Sequence, residues 1–147
     1  MILKLRRVFE VNGERVSFDY PLPADSIESL KSKGVNTPIM ASGEALNRAG
    51  VVELNAFVRF KAQHECDRCL TEFEREYDLN FTHTLVTRSY TDDDELIVCE
   101  NYELDLDELL TGDILLSFPT KILCREDCKG LCPVCGKDLN KGDCPHC

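Results

Sequence analysis

The sequence predicts an α+β fold: a predominantly antiparallel β-sheet or partly open barrel, one or two short helices, and a small C-terminal zinc ribbon. Three observations lead there. Residues 52–62 are apolar at every second position, and in 73–85 Phe73, Tyr77, Leu79, Phe81 and Leu85 share one parity, the period of a strand with one buried face. The two are joined by Cys66-Asp-Arg-Cys69, so they form a hairpin with a cysteine pair at its tip. Six of the nine cysteines then crowd into residues 124–147.

Taken in order, residues 2–11 show mixed alternation and are expected to form a strand. Asn12-Gly13 is a hairpin turn signal, and Val16, Phe18 and Tyr20 alternate after it. Pro21 and Pro23 end that run. Asp25 is positioned to cap a short helix from Ser26 to about Lys33, stopped by Gly34. A further strand is expected over 35–46, with a loop at Asn47-Arg-Ala-Gly50.

The strand from Val52 sets Val52, Leu54, Ala56, Val58, Phe60 and Ala62 against Glu53, Asn55, Arg59 and Lys61, with Phe57 the exception. Beyond the cysteine pair, Phe73, Tyr77, Leu79, Phe81 and Leu85 share one parity against Glu72, Glu74, Glu76, Asp78 and Asn80. Asp92-Asp-Asp-Glu95 is expected to be an exposed loop, and Leu96-Ile-Val-Cys99 a short buried strand. Cys99 has no cysteine neighbour and is read as a small buried hydrophobe. Asp105 opens an amphipathic helix with Leu106, Leu109, Leu110 and Ile114 inward and Asp107, Glu108 and Asp113 outward. Leu115, Leu116 and Phe118 extend the apolar surface to Pro119, which ends the element.

At 147 residues and 43% hydrophobic content, the chain supports a β-rich body over 1–123 with a cysteine-rich zinc-binding tail, 124–147, docked on it. It has no apolar run of membrane-spanning length, and the charged N-terminus does not resemble a signal peptide. A cytoplasmic location follows, where thiols stay reduced and dense cysteines serve as metal ligands. The net charge of −10 is unevenly placed. Residues 72–113 hold 14 acidic and 2 basic groups, while the segments on either side are each +1. That charge opposes general phosphate binding and fits a basic protein partner.

Without Cys99, eight cysteines fall into the pairs 66/69, 124/128, 132/135 and 144/147. Two Cys-x-x-Cys knuckles at the end of the chain each supply one edge of a tetrahedron. Gly136 stands where the first of them needs positive φ. Local pairing assigns Cys132, Cys135, Cys144 and Cys147 to one site, a miniature ribbon with only eight residues between the knuckles. Cys66, Cys69, Cys124 and Cys128 are left for the other, a long-range clip from hairpin tip to tail. His64 and His146 are conceivable substitute ligands. Two closed thiolate sites imply two structural Zn2+ and leave no position for a reactive water. No phosphate-binding loop, H-E-x-x-H or nucleophile elbow is present, so the chain is expected not to be an enzyme and to take no small-molecule substrate.

Cys66-Asp-Arg-Cys69-Leu70 with Phe73, and the ending Cys128-Lys-Gly-Leu-Cys132-Pro-Val-Cys135-Gly-Lys-Asp-Leu-Asn140, resemble the YceD family of bacterial and plastid proteins, named for accumulation of large-subunit ribosomal RNA. The resemblance implies a non-enzymatic ribosome-biogenesis factor that promotes 23S rRNA accumulation and large-subunit assembly. The implied partner is a ribosomal protein or the pre-ribosomal large subunit, met through the acidic segment 72–113. Two other readings compete with it. One is a direct RNA-binding zinc-ribbon module, contacting rRNA through Arg68, Arg125, Lys129, Lys137 and Lys141. The other is a redox-sensitive zinc switch.

Overall fold

The computed structural model describes residues 1–23, 28, 30–35, 38–88, 95–142 and 144. Asp25, Ser26, Ile27 and Ser29 of the expected capped helix, the acidic residues 92–94, His146 and Cys147 lie outside the described residues, while Lys31–Lys33 form a short helical turn closed at Gly34.

Five strands form an open sheet in the order β2-β3-β4-β5-β6, and it does not close into a barrel. They are β2 (Arg15–Pro21), β3 (Met40–Arg48), β4 (Val51–Glu65), β5 (Glu72–Val86) and β6 (Leu96–Val98). The first four run antiparallel to their neighbours, whereas β6 joins β5 in parallel. The β4–β5 ladder is unbroken from Val52↔Leu85 to Glu65↔Glu72, so inward and outward faces never change places. On β4 the inward positions Val52, Leu54, Ala56, Val58, Phe60 and Ala62 are all buried.

Against this face lies α2 (Leu106–Ser117), which begins at the Asp105 cap: its carboxylate accepts the N–H groups of Asp107 and Glu108. Leu106, Leu110 and Ile114 are fully buried, contributing ~1.5–3 kcal/mol each. Asp107 and Asp113 were expected to face water, but both tie the helix to the sheet. Asp107 accepts from the Tyr20 hydroxyl at 2.6 Å and from the terminal amine. Asp113 accepts from His83 Nε2 at 2.6 Å, and both side chains are largely shielded. Helical periodicity alone puts both aspartates outward, because it does not register polar partners on the facing sheet. At the far end Phe118 packs against the core as expected, but Leu116 is 87% exposed and does not extend the apolar surface.

The N-terminal hairpin does not form. Only Ile2–Lys4 is a strand (β1), and it pairs with β7 (Glu103–Asp105) in a separate two-stranded sheet. Arg6–Glu10 is a helix, α1. Leu5 and Val8 are buried and Phe9 packs against the core, a three-to-four-residue spacing that an alternation count merges with the strand before it. Asn12-Gly13 does turn the chain, with Gly13 at φ +86°, but it connects α1 to β2. The strand expected over 35–46 begins later, at Met40, and runs to Arg48. It leaves Ala49-Gly50, both at positive φ, as the two-residue turn into β4.

Leu96–Val98 forms a strand, but its residues are only partly covered and Val98 is 40% exposed. Cys99 is fully buried, as expected of a small hydrophobe. Burial pushes its thiol from 9.0 up to about 11. The raised value means that its contribution to stability is complete below pH 9.0 and is lost as pH rises through about 11. The stability difference between the wild-type chain and Cys99→Ala in urea melts should therefore narrow across that window.

Candidate metal centre

The turn between β4 and β5 is built as a knuckle. The Cys66 N–H donates to the Thr71 carbonyl at 2.9 Å, and the Leu70 N–H donates to the Cys66 carbonyl at 2.9 Å. Leu70 takes φ +60° to make this turn. The same pattern recurs in the tail: the Cys132 N–H reaches the Lys137 carbonyl at 2.8 Å and the Gly136 N–H reaches the Cys132 carbonyl at 2.9 Å. Gly136, at φ +74°, holds the position that Leu70 holds in the hairpin. A leucine in the left-handed region costs about 1–2 kcal/mol, and the hairpin knuckle carries that strain at its exposed tip.

The tail is fastened to this tip through its backbone. The Asp67 N–H donates to the Ile122 carbonyl at 2.8 Å, and the Ile122 N–H to the Asp67 carboxylate at 2.7 Å. Arg75 reaches the Leu123 carbonyl at 2.7 Å and Arg68 the Cys128 carbonyl at 2.8 Å. These contacts bring Cys124 and Cys128 over Cys66 and Cys69, so that all four sulfurs lie within 4.8 Å of one another. Cys66 and Cys128 are 3.6 Å apart, as are Cys69 and Cys124. Sulfurs at the corners of a zinc tetrahedron with ~2.3 Å bonds stand about 3.8 Å apart, so the cage has the dimensions the ion requires. A disulfide needs ~2 Å between sulfurs. All eight described cysteines of the chain are free thiols.

The electrostatics of the cage suit a cation. Burial opposes ionisation of Cys66, but N–H groups of Cys69, Cys124 and Arg68 hydrogen-bond its sulfur and bring it down to about 6. Cys69 is lowered, chiefly by the Thr71 hydroxyl 3.2 Å from its sulfur. Cys124 is pushed up to about 12 by burial and by the sulfurs around it. Four thiols this close cannot all become negative by themselves, and a dication at their centre removes that conflict.

A second cluster gathers Cys132, Cys135 and Cys144, with Cys135 and Cys144 sulfurs 3.2 Å apart. Its expected fourth member, Cys147, lies outside the described residues. Asn140 links the two clusters: its side chain donates to Cys128 Sγ at 3.3 Å and accepts the Lys129 N–H at 2.9 Å. Sequence reasoning gave Asn140 no structural role. The only signal for one is a turn-forming Asn just after a knuckle.

His64 is not among the clustered ligands. It is buried, its Nε2 lies 2.7 Å from the Tyr77 hydroxyl, and its ring sits between Phe73 and Phe118. Of the basic side chains around the knuckles, Arg68 is occupied with the Cys128 carbonyl, and Arg125 lies 3.4 Å from Asp127.

Fold and centre together define a class: an open, mostly antiparallel sheet whose longest hairpin ends in a knuckle held against a cysteine-rich tail. Residues 54–147, more than half of the chain, match the family described as large ribosomal RNA subunit accumulation protein YceD. The chain belongs to that family. It is also 31% identical over 80 residues to uncharacterized proteins of Mycobacterium bovis and of two strains of Mycobacterium tuberculosis. Those matches take in 51% of this chain and 39% of each relative, so the chain spans about two-fifths of their length. No solved structure matches it significantly. Among the described residues no helix is long and apolar enough to cross a membrane.

Proposed function

We propose that this chain is a non-enzymatic, cytoplasmic factor that promotes accumulation of 23S rRNA and assembly of the large ribosomal subunit. Two structural Zn2+ would hold its tail, 124–147, on its β-rich body, 1–123. The observation that carries this reading is membership, over 54–147, of a family described by large ribosomal RNA accumulation. The four-sulfur cage supports the structural role of the metal, since Cys66, Cys69, Cys124 and Cys128 fill every position of a tetrahedron and leave none for water. Cys132, Cys135, Cys144 and Cys147 would hold the second ion. The acidic segment 72–113 favours a basic ribosomal protein over naked RNA as the surface it meets.

Depletion of the protein is expected to lower 23S relative to 16S rRNA and to shrink the large-subunit peak in a sucrose gradient. Unchanged 23S and large-subunit levels would contradict the assembly role.

A further inference from the structure

We propose that the outer edge of β5, from Glu72 to Asn80, accepts an added β-strand from an extended basic polypeptide in which Lys or Arg alternates with aliphatic residues. The inference rests on the assembly reading above and names the partner's chemistry and its mode of binding.

Hydrogen bonds show which backbone groups the edge presents. The Cys66 N–H donates to the Thr71 carbonyl, so odd-numbered residues of this strand aim their backbone groups at β4. The Cys99 N–H donates to the Val86 carbonyl at 2.7 Å, so even-numbered residues aim theirs the other way. The ladder has no bulge between these points, and β6 covers only Thr84–Val86. The N–H and C=O groups of Glu74, Glu76, Asp78 and Asn80 therefore point off the sheet, and among the described residues no backbone group meets them.

The chemistry of the edge selects its occupant. Side chains of Glu72, Glu74, Glu76 and Asp78 stand exposed along the outer face. They outnumber their two cations, Arg59, at 2.6 Å from Asp78, and Lys61, at 3.9 Å from Glu74. On the inner face Phe73, Tyr77, Leu79 and Phe81 are only half-buried, an apolar row along the same edge interrupted by Arg75, whose guanidinium is held on the Leu123 carbonyl. An added strand alternates its side chains in step with the sheet, so one of its faces would meet carboxylates and the other the aromatic row. Two copies joined by this edge would set Glu and Asp against one another, which is unfavourable. RNA meets the same repulsion.

The opposite edge of the sheet is protected. There Glu14 and Leu22 bond toward β3, so Arg15, Ser17, Asp19 and Pro21 face out, with mixed charge and a proline that has no N–H.

The test uses a fluorescent peptide of alternating lysine and valine, about nine residues long to span the edge. It is titrated into the full-length protein and into Glu76→Gln and Glu76→Pro. The two variants carry the same charge, and proline at an outward-facing edge position leaves the β4 ladder intact. Glu76→Pro is expected to bind on the order of tenfold more weakly than Glu76→Gln. In the wild-type chain, amide exchange should be fast at Glu74, Glu76 and Asp78, slow at Phe73, Arg75 and Tyr77, and should slow at the first three when peptide binds. Equal binding by the two variants would overturn the proposal. So would slow exchange of the even-numbered amides in the free protein, equal competition by a uridine homopolymer, or a dimer that Glu76→Pro dissolves. Peptide binding is independent of rRNA levels, so its failure alongside a depletion phenotype would remove this inference and leave the assembly role standing.

Discussion

Cys66→Ser is expected to release one metal ion per chain and to destabilise the fold by more than ~4 kcal/mol, the range reached when a structural metal is lost. Cys66 is fully buried beneath Cys128 and receives the N–H groups that favour its thiolate. A serine hydroxyl is a harder and far less acidic donor, so the cage would lose affinity for a soft-ligand metal. Three clustered sulfurs, those of Cys69 and Cys128 buried, would then remain without their shared counter-charge. The tail contacts at Asp67, Arg68 and Arg75 depend on the same closure, so Ile122 and Leu123 should lose their protection from amide exchange. Cys135→Ser supplies the contrast. That residue is exposed in the outer cluster, and its loss should loosen the ribbon with little effect on the urea midpoint of the sheet.

Gly34→Ala should be nearly as damaging, although no ligand is involved. Gly34 sits at φ +82°, closing the short helical turn Lys31–Lys33 with its N–H on the Lys31 carbonyl. Its own carbonyl accepts the Gln63 N–H at 2.9 Å, so two stretches of backbone lie almost against each other. An added methyl group would stand 1.8 Å from the Gln63 carbonyl oxygen, with no flexible side chain between them to yield. The backbone on either side must separate, lifting the fully buried Leu30 and Val35 away from β4. The combined strain and lost burial should cost roughly 3 kcal/mol or more, read from urea unfolding.

Much of this architecture is written in residue periodicity. β4 and β5 are legible because one face of each turns toward the core along its length, fully buried on β4 and half-buried on β5, so alternation of Val52 through Ala62 and of Phe73 through Leu85 has a single physical cause. The Asp105 cap and the Leu106–Leu110–Ile114 stripe are legible for the same reason. The N-terminal segment is not, because Leu3 and Leu5 follow strand spacing while Leu5 and Val8 follow helical spacing within a few residues. Its pairing with Glu103–Asp105 depends on a partner a hundred residues away, which no local pattern encodes. The parallel placement of β6 is equally non-local.

In the metal centre, cysteine spacing suggested which sulfurs would meet, and the structure gathers Cys66, Cys69, Cys124 and Cys128 in one cage. Spacing gave no sign of the supports around them. The Thr71 hydroxyl, Arg68 on the Cys128 carbonyl and Asn140 between the clusters are ordinary polar residues until the chain is folded. The left-handed Leu70 is hidden for a related reason, since glycine is the residue a sequence reader expects at that turn.

The claim that the tail is stapled to the hairpin by metal is tested most directly by elemental analysis of the purified full-length protein beside Cys66→Ser. Two zinc ions are expected per wild-type chain and one in the variant. No zinc in the wild-type chain, or two retained in Cys66→Ser, would contradict it.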